Sequence, residues 1–260
     1  MVYSVLTCNV NGIRAAQRRG FWQFLSLGDF DVICLQETKA SLAILSDECF
    51  KLPGYHAAFS SAEKSGYSGV AVYSKLQPER VEISLGTPHF DTEGRICIAE
   101  FPHTTIMSLY LPSGTSGESR QLVKESLMAY FFKHVLQPCA TNARDVIIAG
   151  DWNIAHAPID IKNWKSNQRN SGFLPHERSW LDQVFDSLGW IDTYRTLHPE
   201  GHEYTWWTYR AGARQNNVGW RIDYQVAHPR MRDKLQRCGI VRDPVFSDHA
   251  PYWVEYSGVL

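Results

Sequence analysis

Eight short runs along the 260-residue chain carry the alternating or continuous apolar pattern of β-strands: 2-VYSVLTCNV-10, 31-DVICLQ-36, 69-GVAVYS-74, 95-RICIAEF-101, 105-TIMSLYL-111, 145-DVIIAG-150, 220-WRIDYQVA-227 and 252-YWVEYS-257. Continuous runs such as Val146-Ile147-Ile148-Ala149 predict strands covered on both faces, and alternating ones predict strands half exposed. Helical spacings fall between them. The clearest, 118-ESRQLVKESLMAYFFKHVLQ-137, aligns Val123, Leu127, Tyr130, Phe131, His134 and Val135, with Thr115 and Glu118 placed as a capping box and Pro138 as a stop. A second, 175-PHERSWLDQVFDSLG-189, starts at Pro175, aligns Leu181, Val184, Phe185 and Leu188, and ends at Gly189. A weaker pattern covers 16-AQRRGFWQFLSLG-28 despite Gly20. The Gly/Ser-rich pieces 60–69 and 112–119, and the segment 162–172, read as loops.

Composition narrows the class. With 44% hydrophobic and 20% charged residues the chain is globular rather than disordered, and its length leaves one or two domains open. A formal net charge of −1 means that a polyanionic ligand needs a local cationic patch. The six cysteines form no CxxC pair, which points to a reducing compartment. No run has the form of a signal peptide or approaches the ~18 apolar residues of a membrane span, so a cytoplasmic protein without a membrane partner is expected.

Several of the strands end in acids or amides. Asn9 and Asn11 follow the first, Glu37 the second, and Asp151 and Asn153 follow 146-VIIAG-150; Asp223 sits in WRIDYQV, and 246-FSDH-249 precedes the last strand. Segments 31-DVICLQE-37 and 145-DVIIAGD-151 echo one another, each an Asp-Val-Ile followed at the same distance by a carboxylate. One Asp or Asn at a strand end is usually a turn or cap residue, and His156, Asp160 and His176 are read as structural. The joint pattern is different. A carboxylate at a buried strand end costs several kcal/mol unless it is paired or binds a cation, and repeating that choice implies a shared partner. Oxygen-rich ligands without Cys-His spacing suit Mg²⁺, or Mn²⁺, better than Zn²⁺.

The elements 8-CNVNGIRA-15, 35-LQETKA-40, 66-GYSGVAVYSK-75, 93-EGRICIAEF-101, 109-LYLPSG-114, 147-IIAGDWNIAH-156, 205-TWWTY-209, 218-VGWRIDY-224 and 246-FSDHAP-251 together resemble, in order, the motifs of the exonuclease III family of apurinic/apyrimidinic (AP) endonucleases. The resemblance implies an α/β fold, a four-layer sandwich of two packed β-sheets flanked by helices, with residues 1–260 as a single domain acting as a monomer. It implies a Mg²⁺-dependent phosphodiesterase that cuts double-stranded DNA 5′ to an abasic site, leaves a 3′-hydroxyl, and processes blocked 3′ ends as a phosphodiesterase, phosphatase and 3′–5′ exonuclease.

Under this resemblance Glu37 is the principal metal ligand, with Asn9, Asn11 and Asp248 beside it. Asp151, oriented by Asn153, aligns or deprotonates the attacking water; Tyr110 and His249 contact the phosphate, His249 either stabilising its charge or sharing the role of base. Adjacent residues of an extended segment point to opposite sides, so Asp223 rather than Asp248 is expected to orient the His249 ring. Trp206, Trp220 and Ile222 match an apolar pocket for a flipped-out sugar without its base. Asn163, Asn167 and Asn170 match a loop that reaches the phosphate strand, and Lys162, Lys165, Arg169, Arg210, Arg214 and Arg221 are expected to supply the cationic surface. Ser113 and Ser166 depart from the usual Asn and Gly, in loops that touch DNA strands. Two other functions compete with this one: a non-catalytic nucleic-acid-binding regulator of the same fold, which has no reason to keep the acids and His249 together, and a phospholipid or inositol phosphate phosphodiesterase, which is not expected to carry GWRIDY with TWWTY.

Overall fold

In the computed structural model, which describes residues 1–260, the strands are β1 (Val2–Asn9), β2 (Val32–Gln36), β3 (His56–Ser60), β4 (Val70–Ser74), β5 (Arg80–Glu82), β6 (Ile96–Glu100), β7 (Thr104–Tyr110), β8 (Asp145–Asp151), β9 (Ile191–Asp192), β10 (Asp223–Ala227), β11 (Leu235–Ile240) and β12 (Tyr252–Ser257). They form two six-stranded sheets of order β11-β12-β1-β2-β4-β3 and β5-β6-β7-β8-β10-β9. The echoing segments are β2 and β8. Each is fourth in its sheet and parallel to the strand before it, β1 in one case and β7 in the other.

Alternation along the strands decides the layers. In β1, Tyr3 and Val5 enter a central cluster shared by both sheets, while Leu6 and Cys8 pack under the helices Ile13–Arg18 and Phe21–Gly28. In β8, Ile147 and Ala149 face that central cluster, and Val146 and Ile148 face Leu127, Phe131 and Leu181 of the helices Glu118–Phe131 and Pro175–Asp182. The result is the expected sequence of layers: helices, sheet, sheet, helices. Full burial of each such aliphatic side chain stabilises the fold by about 1.5–3 kcal/mol.

Apolar contact is not directional, and a few buried polar groups fix how the sheets sit on one another. Gln36 accepts from Thr7 Oγ1 and donates to Ser108 Oγ at 3.0 Å, and that hydroxyl donates to Leu35 O. Gln225 donates to Val5 O at 2.8 Å and accepts from Tyr256 OH at 2.9 Å. Sliding either sheet would strand these groups unpaired in the core, at about 1–3 kcal/mol each. β2 is thereby tied to β7, and β10 to β1 and β12.

Several details differ from the sequence pattern. The helix starting at Glu118 is capped at Gly117 with no side-chain bond; Thr115 pairs with Ser113 Oγ instead of forming a capping box. Pro138 does not stop it, because a wider turn at Phe132–Leu136 resets the hydrogen-bond register and the proline, which lacks an N–H, sits in the first turn of Gln137–Ala140. Gly20, in the left-handed region at φ 84, splits the 16–28 pattern into two helices. The run 220–227 becomes a strand only at Asp223, since Trp220 bridges Trp206 and Ile161. Strands β3, β5, β9 and β11 had no clear signature: they are very short or lie at sheet edges with exposed residues. No helix is long and apolar enough to cross a membrane.

Candidate active site

The strand ends converge at one end of the sandwich. In the second sheet, Tyr110, Asp151 and Asp223 stand on one rung, because β8 pairs Asp151 with Tyr110 on one side and with Asp223 on the other. In the first sheet, Asn9 pairs with Gln36, which places Glu37 just beyond. The residue before Asp151 must be Gly150: a Cβ there would lie 1.9 Å from Leu109 O. Asn11, Glu37, Lys39 and Asn153 all adopt left-handed backbone conformations, with φ between 44 and 53. Such conformations are uncommon for residues other than glycine, and here they cluster where the side chains meet.

Asn9 links the two halves, its amide donating to Glu37 Oε1 and to Asp151 Oδ2, each at 2.8 Å. Asp151 is 1% exposed and also accepts from the Asn153 backbone N–H at 2.9 Å and from its side-chain amide at 3.2 Å. Tyr110 OH donates to Glu37 Oε1 at 2.9 Å, and the buried Arg95 guanidinium lies under its ring. His249 Nδ1 lies 2.9 and 3.1 Å from the Asp223 oxygens, so Asp223 holds the ring, as the alternation of side chains implied. A proton on Nδ1 leaves Nε2 facing Asp151 Oδ2 at 3.9 Å. Asp248 instead accepts from Asn11, Ser247 and Trp206 Nε1.

The expected cation ligands divide. Asn9 turns its amide nitrogen to the carboxylates and its oxygen to the Asn11 N–H, while Asp248 accepts from Asn11 and Ser247 at Oδ1 and from Trp206 at Oδ2; Asn9 Oδ1 and Asp248 Oδ2 each keep one lone pair. Asn11 Oδ1 and Glu37 Oε2 converge on the Lys39 ammonium, at 2.5 and 2.7 Å. Glu37, Asp151 and His249 form a second convergence, with ligand atoms all within 4.8 Å of one another, a group that could hold a metal ion. Glu37 belongs to both.

Charge explains the arrangement. Burial alone would raise the Glu37 pKa, but Lys39 and the Asn9 amide outweigh it and hold the carboxylate ionised. Asp151 has no adjacent ammonium; burial raises its pKa, and the nearby Asp223 and Glu37 charges add to that against the pull of His249 and Asn9. Burial would lower His249, yet Asp223 and Asp151 lift it. Burial also keeps Tyr110 a neutral phenol able to donate. Carboxylates at Glu37, Asp151, Asp223 and Asp248 thus share one lysine and one histidine, and a further positive charge would stabilise the cluster.

These groups open onto a cleft of about 660 Å³. Trp206, Trp220 and Ile222 form its apolar wall, with the two indoles edge to face at 5.9 Å. Arg169, Asn170 and Ser113 also line it, whereas Asn163, Asn167, Lys165 and Ser166 do not. Asn163, Asn167 and Asn170 bond in series, Asn167 donating to Asn163 O and Asn170 donating to Asn167 Oδ1, both at 2.7 Å. Lys165, Ser166 and Arg169 line a separate surface hollow.

The cationic surface needs correction. Lys162, Lys165, Arg169 and Arg210 are exposed, but Arg221 is 1% exposed and paired with Asp160 and Asp192. Half-buried Arg214 donates to the Ser247 and Arg242 carbonyls. Its apolar neighbours carry Arg221 into the core, where Asp160 and Asp192 offset the cost of burying its charge. His156, Asp160 and His176 each pair locally, with Asp182, Arg221 and Glu125 respectively. The sequence pattern did not single out Lys39, Arg95, Lys124 or Glu177. Lys39 alone had a usable signal, two positions after Glu37.

Residues 6–249 match the model of the Endonuclease/Exonuclease/phosphatase family. The chain is 37% identical over 254 residues to an exodeoxyribonuclease of Bacillus subtilis, a match covering 95% of this chain and 96% of that one. It superposes on the structure of an AP endonuclease from Archaeoglobus fulgidus with a TM-score of 0.89 and 26% identity, covering 98% of this chain and 100% of the other. A 3′ phosphatase, NExo, from Neisseria, solved bound to a product DNA hairpin, superposes with a TM-score of 0.88 and 26% identity at the same coverage.

Proposed function

The chain belongs to the Endonuclease/Exonuclease/phosphatase family, and from that premise we propose that it is a DNA-repair nuclease of the AP endonuclease type. It hydrolyses the backbone of double-stranded DNA 5′ to an abasic site, leaving a 3′-hydroxyl, and clears blocked 3′ ends as a phosphodiesterase, phosphatase and 3′–5′ exonuclease. It works in the cytoplasm as a monomer.

The observation that carries this reading is the pairing of Asp151 with His249 across 3.9 Å, each held by a separate partner, at the floor of a cleft with an apolar wall. Asp151 is oriented by Asn9 and Asn153 to take a proton from water lying in line with the scissile bond. His249, its Nδ1 held by Asp223, presents Nε2 to a nonbridging phosphate oxygen, and the neutral Tyr110 hydroxyl donates from the other side. Glu37 would hold Mg²⁺, or Mn²⁺ in its place, with Asn11 Oδ1 or with Asp151 and His249; the Lys39 ammonium already at Glu37 and Asn11 supports the fit. When bound, such a cation supplies charge neutralisation at the phosphate and the leaving oxygen.

Trp206, Trp220 and Ile222 offer a flipped-out sugar an apolar wall. Arg169 and Asn170 at the rim, with Lys165, Asn163 and Asn167 on the loop behind, contact phosphates without reading sequence. The test is a duplex oligonucleotide carrying one abasic analogue, incubated with Mg²⁺ or EDTA beside Asp151→Ala. One metal-dependent incision, at least about 10³-fold slower in the variant, is expected. Equal cleavage by variant and parent refutes the assignment.

A further inference from the structure

Behind the cleft lies an ion pair that the reaction as described does not use. Lys124, from the helix Glu118–Phe131, and Glu177, from the helix Pro175–Asp182, meet at 2.5 Å with both side chains 0% exposed. Every other bond they make goes to a segment bordering the cleft or to the helix that carries Lys124. Lys124 Nζ donates to the Asn153 carbonyl at 2.9 Å. Glu177 Oε2 accepts from the backbone N–H groups of Gly172, at 2.7 Å, and Leu174, at 3.1 Å, and Oε1 accepts from Gln121.

These two segments also pack on each other. Gly172 O accepts from Ala155 N at 2.8 Å, and Gly172, at φ 93, lies so close that a Cβ would stand 3.0 Å from both Asn153 O and Trp220 Cζ3. Asn153 is itself left-handed, and its N–H holds Asp151 Oδ1 at 2.9 Å. A continuous path therefore runs from the cleft rim at Asn170–Gly172, through Glu177 and Lys124, to the Asn153 peptide and the Asp151 carboxylate.

Stability alone does not account for such a pair. Desolvating two charges consumes most of what their attraction returns, and a well-packed apolar pair of similar volume is commonly as stable or more so. We propose that Lys124 and Glu177 are positioning residues: they lock the Asn153 turn and the cleft rim into one rigid unit, so that the Asp151 carboxylate keeps its aim only while the rim is seated. This inference rests on the assignment of Asp151 as the group that prepares the water.

The test compares Lys124→Met, Glu177→Gln and the double variant by single-turnover and steady-state cleavage of the abasic duplex with Mg²⁺, well below each melting temperature, beside Asp151→Ala. Lys124→Met is expected to slow the single-turnover rate by about 10- to 100-fold with KM nearly unchanged, since a small misplacement of a catalytic group costs that much. Glu177→Gln, which loosens the rim, is expected to raise KM by about fivefold or more, with a smaller effect on rate. The double variant leaves no charge unpaired. Its melting temperature is expected to return toward the parent's while its rate stays as low as that of Lys124→Met, a separation that mere core packing would not produce. Recovery of rate together with stability overturns the proposal, as does a parent-like rate in folded Lys124→Met. If that variant does not fold, the double variant alone carries the test. An active Asp151→Ala overturns the assignment of Asp151, whereas an inactive Asp151→Ala beside a fast double variant overturns only the positioning role.

Discussion

Asn9 donates a 2.8 Å hydrogen bond to Asp151, 142 positions away in the chain and in the other sheet. The same amide donates to Glu37, so it stands as a neutral spacer between two carboxylates. Asn9→Ala is expected to destabilise the fold by about 1–3 kcal/mol, as buried acceptors lose their donor. The loss should be larger in EDTA than in Mg²⁺, because a cation can replace the missing screening. Urea denaturation under the two conditions measures this, and equal losses would show that the amide does not act on charge.

Lys39 places a positive charge where Glu37 and Asn11 converge. A divalent cation approaching those oxygens must move it aside. Lys39→Met is therefore expected to bind Mg²⁺ or Mn²⁺ roughly tenfold more tightly, about 1.4 kcal/mol, with the apo protein less stable than the parent. Calorimetric titration without DNA reads this directly, and weaker binding by the variant would assign Lys39 to supporting the cation rather than competing with it.

Trp220 packs edge to face on Trp206 in the cleft wall. Trp220→Ala is expected to reduce the preference for abasic over intact duplex by roughly tenfold while general DNA affinity falls much less, since an apolar wall discriminates shape and phosphate contacts do not. Binding titrations with both duplexes decide it; proportional losses would remove the pocket from the account of specificity.

Asp160 is buried against Arg221 and also pairs with Arg195. Burial alone would raise its pKa, but Arg221 and then Arg195 outweigh it and bring the group from 3.8 down to about 2. A carboxylate whose pKa is lower folded than unfolded contributes stability above the unfolded value, and that contribution is lost as the pH falls through the folded one. Its linkage contribution, about 2 kcal/mol, should be complete above pH 4 and fade toward pH 2. The stability difference between the parent and Asp160→Asn, followed by urea denaturation across that range, should narrow with acid. A constant difference would show that the arginines are not what the carboxylate answers to.

Much of this was legible in the sequence because burial and periodicity are local. The apolar runs in 146-VIIAG-150 and 4-SVLTC-8 identified inner strands, and the polar residues following them identified the end of the sandwich where these groups converge. Alternation even separated Asp223 from Asp248 as the partner of His249. Three-dimensional choices were not legible. Arg221 looks like surface charge until Asp160 and Asp192 are seen around it, and Lys124 looks like the polar face of an amphipathic helix until the helix is docked. Which end of the Asn9 amide faces the carboxylates, and which way the left-handed Asn11 and Glu37 turn their side chains, depends on partners hundreds of atoms distant along the chain. Edge strands such as β5 and β11 escaped because exposure on an edge removes the apolar signature.

The position of β12 between β11 and β1 sets a timetable for synthesis. Asn9 and Glu37 leave the ribosome early, but β1 gains its antiparallel neighbour only from Tyr252–Ser257, and His249 emerges just ahead of that strand. A nascent chain thus carries Asn9, Glu37 and Asp151 long before Asp248, His249 and the strand that follows them can complete the constellation. Closing the founding strand and adding the histidine of the site therefore happen almost together, late in synthesis.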